Sequence, residues 1–250
     1  MSIKDRQTKI LLALLLMSDD TYRFLNFNES VNSIFDLSLN RKTITMFKRL
    51  EKSGLIESNP NKTNEEYSYK LTDSGFRDLS LNFPVFRFTN SQWDNTWRIL
   101  SYQIPEKKRE LRDKLRRQVS GWGLGPWHRS FWLTPHPIIE SLKDLVSKKE
   151  EEQYIQLFES KHVFGDQENL IETVWNKSGL ELKYRNLFKK WHEFLSKDQD
   201  KILKLKDVIN SYVSILKIDP GLPKTLLGNT WIGYEATTLF REIRNILLKS

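Results

Sequence analysis

Three features of the 250-residue chain predict an α+β protein built from three successive segments. Apolar residues repeat at helical spacing near both ends, and short β-rich runs punctuated by Asn, Gly and Pro lie between them. All eight tryptophans fall between Trp93 and Trp231, so the first 92 residues form a compositionally separate part. Residues 81–90, with Pro84 and the alternating Phe83, Val85, Phe86 and Phe88, read as the connector. The expected domains are residues 1–83, 91–170 and 171–250.

In the first segment Ile10, Leu11, Leu14 and Leu15 form one helical stripe. Residues 30–37 read as a short second helix with Val31, Ile34 and Phe35 apolar. Asn40 is an N-cap for a third helix that runs to about Ser53. Thr43, Phe47 and Leu50 share one face of it, and Arg41, Thr45, Lys48 and Lys52 share the opposite face. Gly54 suits the left-handed residue that ends many helices. Residues 55–57 and 67–71 read as strands, and the Asn-, Pro- and Lys-containing stretch 58–64 as the turn between them. Three helices followed by a hairpin make a winged helix-turn-helix, whose third helix enters the major groove while the wing touches backbone. "RLEKSGLIES" and "YSYKLTDSG" resemble the end of helix three and the second wing strand of winged-helix repressors. The residues expected on double-stranded DNA are Arg41, Lys42, Thr45, Lys48, Arg49, Asn61 and Lys62.

The net charge of +8 does not locate this activity. Residues 1–83 carry 12 basic and 11 acidic side chains, against 28 and 21 in the rest. The argument for DNA therefore rests on local patterning.

In the second segment residues 96–105 read as a strand that Pro105 ends, and 106–120 as a helix with Leu111 and Leu115 on one side. Residues 121–135 give two short strands, 138–152 a second helix, and 153–163 a fourth strand. The order βαββαβ is the ferredoxin-like arrangement. "GWGLGPWHRSFWLTPHP", residues 121–137, becomes its central hairpin. Alternate residues such as Trp132 face the core, and Trp122 and Trp127, at the strand ends, are the expected exposed pair. His128 and His136 sit beside prolines and turns and are not read as catalytic. Seven Lys and Arg lie between Lys107 and Arg117. That helix reads first as a solvated outer face, with a DNA-backbone contact or a seat for an effector's phosphates as alternatives that the sequence does not separate.

The third segment is helical. Leu180, Tyr184, Leu187, Trp191 and Phe194 share one face, and Leu205, Ile209, Tyr212 and Leu216 another. Ala236, Leu239, Phe240, Ile243 and Leu247 form the last, with Pro220 and Pro223 setting the turn before it. These stripes read as core, with dimer contact as the minor role.

Several classes are disfavoured. There is no cysteine, and the four histidines lack metal-ligand spacing, so neither a metal nor another cofactor is expected. No nucleophile–base pattern, phosphate loop or metal cluster marks an enzyme. The apolar run 10–17 is far short of the ~20 residues of a membrane span, and no signal-peptide cleavage site follows it. The expected location is the cytoplasm.

"WDNTWRILSYQIPE", "GWGLGPWHRSFWLTP" and above all "DPGLPKTLL" with Trp231 and Gly233 resemble the PaaX family of transcriptional repressors. Its type members repress phenylacetic-acid degradation and leave DNA on binding phenylacetyl-coenzyme A. The resemblance implies a repressor released by a small effector such as an acyl-coenzyme A. One winged helix per half-site predicts a homodimer on an inverted repeat. For the effector it points to the cations Lys107, Lys108, Arg109, Arg112 and Arg116, with Trp122 and Trp127 as the aromatic groups. The family pattern has Arg where Ile44 stands and Trp where Leu55 stands. The middle segment is also similar to small CRISPR-associated ferredoxin-like nucleases, which carry a metal-binding Asp at the end of the first strand. "YQIPEK" has no Asp there, and Glu106 is explained by a helix start. A metal-dependent nuclease is the enzymatic alternative, and a constitutive DNA-binding or scaffold protein without effector is the other.

Overall fold

The computed structural model describes residues 5–18, 23–38, 40–60, 67–87 and 92–249. The chain begins with α1 (Arg6–Met17), β1 (Leu25–Asn26), α2 (Glu29–Ile34), α3 (Arg41–Lys52), β2 (Ile56–Pro60), β3 (Tyr67–Leu71) and α4 (Asp73–Asn82). Next come β4 (Trp97–Tyr102), α5 (Arg109–Gly121), β5 (Gly125–His128), β6 (Phe131–Thr134), α6 (Ile139–Val146) and β7 (Ile155–Ser160). It ends with α7 (Gln167–Trp175), α8 (Lys177–Ser196), α9 (Lys201–Leu216), α10 (Lys224–Leu227) and α11 (Ile232–Leu248). Helix and antiparallel sheet are thus mixed, as expected. The elements form two compact units. One joins the residues up to Ser80 with Tyr184–Ile215 and the chain from Ile232 onward. The other joins Leu81–Lys183 with Leu216–Trp231.

In the first unit, Asp5 caps α1 by accepting the Thr8 N–H at 2.8 Å. The expected single stripe is corrected: Ile10, Leu11, Leu12, Ala13, Leu14, Leu16 and Met17 are all buried. A helix apolar nearly all round must be covered on several sides. Helix α1 meets α3 and β3, and Arg244 of α11 reaches its C-terminal carbonyls. The three-stranded sheet has the order β1-β3-β2, with Ile56 opposite Leu71 and Leu25 opposite Tyr69. Strand β1 and helix α4 were not expected. The proposed connector is shortened by α4, which runs through Asn82, and by a single helical turn at Pro84–Phe86. Phe83 is fully buried between them. In the same unit Trp191 is buried, its Nε1 donates to Ser211 Oγ at 2.9 Å, and Tyr212 stacks on Phe240 at 4.5 Å.

The second unit contains a four-stranded antiparallel sheet of order β5-β6-β4-β7, connected strand–helix–strand–strand–helix–strand. Leu100 lies opposite both Trp132 and Leu157. One face carries Leu100, Tyr102, Trp132 and Ile155 against Leu115, Val119, Leu142 and Val146 of the two helices. Two expectations are corrected here. Helix α6 stops at Val146 rather than near residue 152, because Lys148 takes a left-handed φ of 59°. Trp122 is not exposed: it ends α5 and packs, half-buried, against the core cluster.

Candidate nucleic-acid interface

Helix α3 is positioned by its buried side. The Asn40 side chain accepts the Thr43 N–H at 3.1 Å, and the Thr43 hydroxyl donates to the Ser38 carbonyl at 2.6 Å. One turn on, Phe47 stacks on Tyr69 at 4.3 Å and meets Phe27 edge-on at 4.8 Å. Leu50 closes the face, and Gly54, with φ +70°, turns the chain into β2. Three anchors on one side leave Arg41, Lys42, Ile44, Thr45, Lys48 and Arg49 exposed on the other. Among the described residues none of these four cations is in an ion pair. The first turn holds no acid, so Arg41 and Lys42 add positive charge to the positive end of the helix dipole. That is unfavourable for the helix alone and favourable for an anion from outside. The Thr45 hydroxyl donates to the Arg41 carbonyl at 2.8 Å. On the hairpin, Lys70 pairs with Glu57 at 2.8 Å and lies over the Phe24 ring. Asn61 and Lys62 lie outside the described residues.

The second set of expected residues is largely engaged within its own unit. Lys108 holds Glu150 at 2.5 Å and the Tyr154 hydroxyl at 2.8 Å. Arg112 holds Glu106 at 2.6 Å, which keeps the Glu106 carboxyl below its usual range. Arg116 donates to the Tyr102 hydroxyl at 2.6 Å and to the Arg129 carbonyl at 2.8 Å. Arg109 pairs loosely with Asp113 at 3.6 Å, and Lys107 is exposed. Trp127 is 57% exposed at an irregularity in the β5–β6 register, edge-on to Phe131. Trp122 and Trp127 therefore stand in different surroundings.

A buried junction in this unit escaped the sequence reading. The "DPG" turn meets the connector and the hairpin strand end. Asp219 accepts the Gly221 N–H at 2.7 Å, and Gly221, at φ +63°, lies where a Cβ would come 2.3 Å from the Pro84 carbonyl carbon. At Gly123, with φ +83°, a Cβ would come 2.9 Å from both the Pro220 carbonyl oxygen and the Pro84 side chain. Arg87 donates to the carbonyls of Trp122 at 2.6 Å and Leu81 at 2.7 Å. Burial lowers its guanidinium to about 9, still protonated at neutral pH. Fully buried His136 bonds through Nε2 to the Pro220 carbonyl at 2.6 Å. Burial, and then the charge of Arg87, hold it well below the usual histidine range. The sequence signal for this junction was the co-occurrence of glycines and prolines in the two strings.

Among the described residues no group of three or more His, Asp or Glu side chains could hold a metal ion. No helix among them is long and apolar enough to cross a membrane. No curated protein matches the sequence. An uncharacterized protein from Mycobacterium tuberculosis, Rv0674, has a similar solved structure, with TM-score 0.55 and 16% identity. The likeness covers 98% of this chain and 96% of that one, and at that identity it speaks for the fold alone. The family model of the PaaX protein central Cas2-like domain matches residues 90–171, and that of the PaaX-like C-terminal domain matches residues 175–250. With both domains matched in order over most of its length, the chain belongs to the PaaX family.

Proposed function

We propose that the protein is a DNA-binding transcriptional regulator, acting as a repressor that reads an inverted-repeat operator as a homodimer. In this reading residues 1–83 are a winged helix-turn-helix, 91–170 a ferredoxin-like domain and 171–250 the C-terminal domain. The observation that carries it is α3: one face locked by Thr43, Phe47 and Leu50, the other presenting Arg41, Lys42, Thr45, Lys48 and Arg49. A helix fixed on one side, with cations at its N-terminal end, suits entry into the major groove. Membership of a regulator family supports the same conclusion. The order β5-β6-β4-β7 supports the ferredoxin-like assignment. An acyl-coenzyme A effector stays part of the proposal, with Lys107, Arg109 and Trp127 as its more accessible residues and Lys108, Arg112, Arg116 and Trp122 already engaged.

The test separates base reading from phosphate contact. A duplex enriched by the wild-type chain from a random-sequence pool is compared with a shuffled duplex. Arg41→Ala and Thr45→Ala are expected to weaken the enriched duplex more than the shuffled one. Lys62→Ala is expected to weaken both alike and to lower the salt slope by about one. Equal losses on both duplexes for all three variants would mean that α3 does not read bases.

A further inference from the structure

The turn between α2 and α3 contains an expensive residue. The Leu37 N–H returns to the Asn32 carbonyl at 2.9 Å, and the Asp36 N–H to the Ser33 carbonyl at 3.4 Å. This is the pattern that closes many helices, with Asp36 in the left-handed position at φ 50°. Glycine takes that conformation without steric cost, whereas Asp, one of the few side chains that visit it, pays a modest one. The carboxylate has a use that glycine lacks. It pairs at 2.6 Å with Lys206 of α9, within the same compact unit. Lys9 of α1 donates to the Asp36 carbonyl at 3.1 Å. Burial raises the carboxyl of Asp36, and the Lys206 ammonium together with the N-terminal amino group more than offsets this, leaving it below its usual range. A pair this accessible adds little to stability, so stability alone does not explain a strained residue at the turn.

We propose that Asp36 and Lys206 are positioning residues, through which helix α9 fixes the turn that aims α3. The proposal rests on the DNA-reading role assigned to α3 above. It makes the orientation of the recognition helix depend on a segment of chain 170 residues further along.

The test uses the full chain with Asp36→Gly, Lys206→Met and Lys206→Arg, each on the enriched and the shuffled duplex. If Asp36 only caps α2, glycine is neutral or better and DNA binding is unchanged. On the proposal, Asp36→Gly and Lys206→Met each lower affinity for the enriched duplex by about tenfold, with the double variant no worse than either. Affinity for the shuffled duplex is retained, and Lys206→Arg restores the preference. Wild-type preference in both Asp36→Gly and Lys206→Met overturns the proposal. Amide hydrogen exchange separates this from failure of the DNA reading. Faster exchange confined to the α2–α3 turn and α3 in both variants supports the coupling even if no duplex is enriched. Unchanged exchange there overturns it.

Discussion

His136 shows how one residue carries a physical consequence that its place in the sequence does not announce. Beside two prolines it looked like a turn residue, yet it is fully buried and bonded to the Pro220 carbonyl. Its folded-state proton affinity is depressed by burial and by the charge of Arg87. The unfolded chain therefore binds the extra proton more readily, and stability rises with pH. Below the ordinary histidine value of about 6.5, this group removes up to about 1.4 kcal/mol of stability for each further pH unit. The melting temperature is expected to fall between about pH 7 and pH 5, and the fall to be smaller in His136→Gln. An equal fall in both proteins would assign the pH dependence to other groups. The residues on α3 were easier to read, because the burial of Thr43 and the exposure of Arg41 both follow from local helical spacing.

At the scale of elements, what was legible followed the same rule. Helix α3 announced itself through the Asn40 cap and two distinct faces, and the structure ends it at Lys52 as expected. Strands β4 to β7 were legible because β-rich runs sit between clear turn residues. Helix α7 was not, although Asp166 caps it and Ile171 and Val174 form its buried stripe. Its signal is only nine residues long and follows directly on a strand and a Gly turn. The surroundings of α1 were beyond any local signal. Arg244, 2% exposed, donates to the carbonyls of Leu16 and Ser18, both at 2.8 Å, from 228 and 226 residues away. A cation at the C-terminal end of a helix also meets its negative dipole end. Arg244→Met keeps the apolar bulk and leaves two carbonyls without these donors. A loss of about 2–4 kcal/mol is expected in chemical denaturation. A loss under about 0.5 kcal/mol would show that water replaces the guanidinium without cost.

At the scale of the whole molecule, linear order and compact units differ. Residues up to Ser80 fold together with parts of the last third of the chain, and the "DPG" string folds with the middle strands. Composition set the first 92 residues apart from the tryptophan-bearing remainder, but pairing of distant segments is set by packing that no sequence period records. The excess positive charge lies outside the first 83 residues, so total charge alone would have directed attention away from α3. The central claim is that this helix reads DNA sequence. The most direct measurement is the affinity of the full chain for its enriched duplex and for the shuffled duplex over a range of salt, for wild type and for Arg41→Ala/Lys48→Ala. The account predicts a wild-type preference of at least about 10³-fold. It predicts that the double variant loses most of this preference at every salt concentration. Equal affinity of the wild type for both duplexes, or an undiminished preference in the double variant, would contradict it.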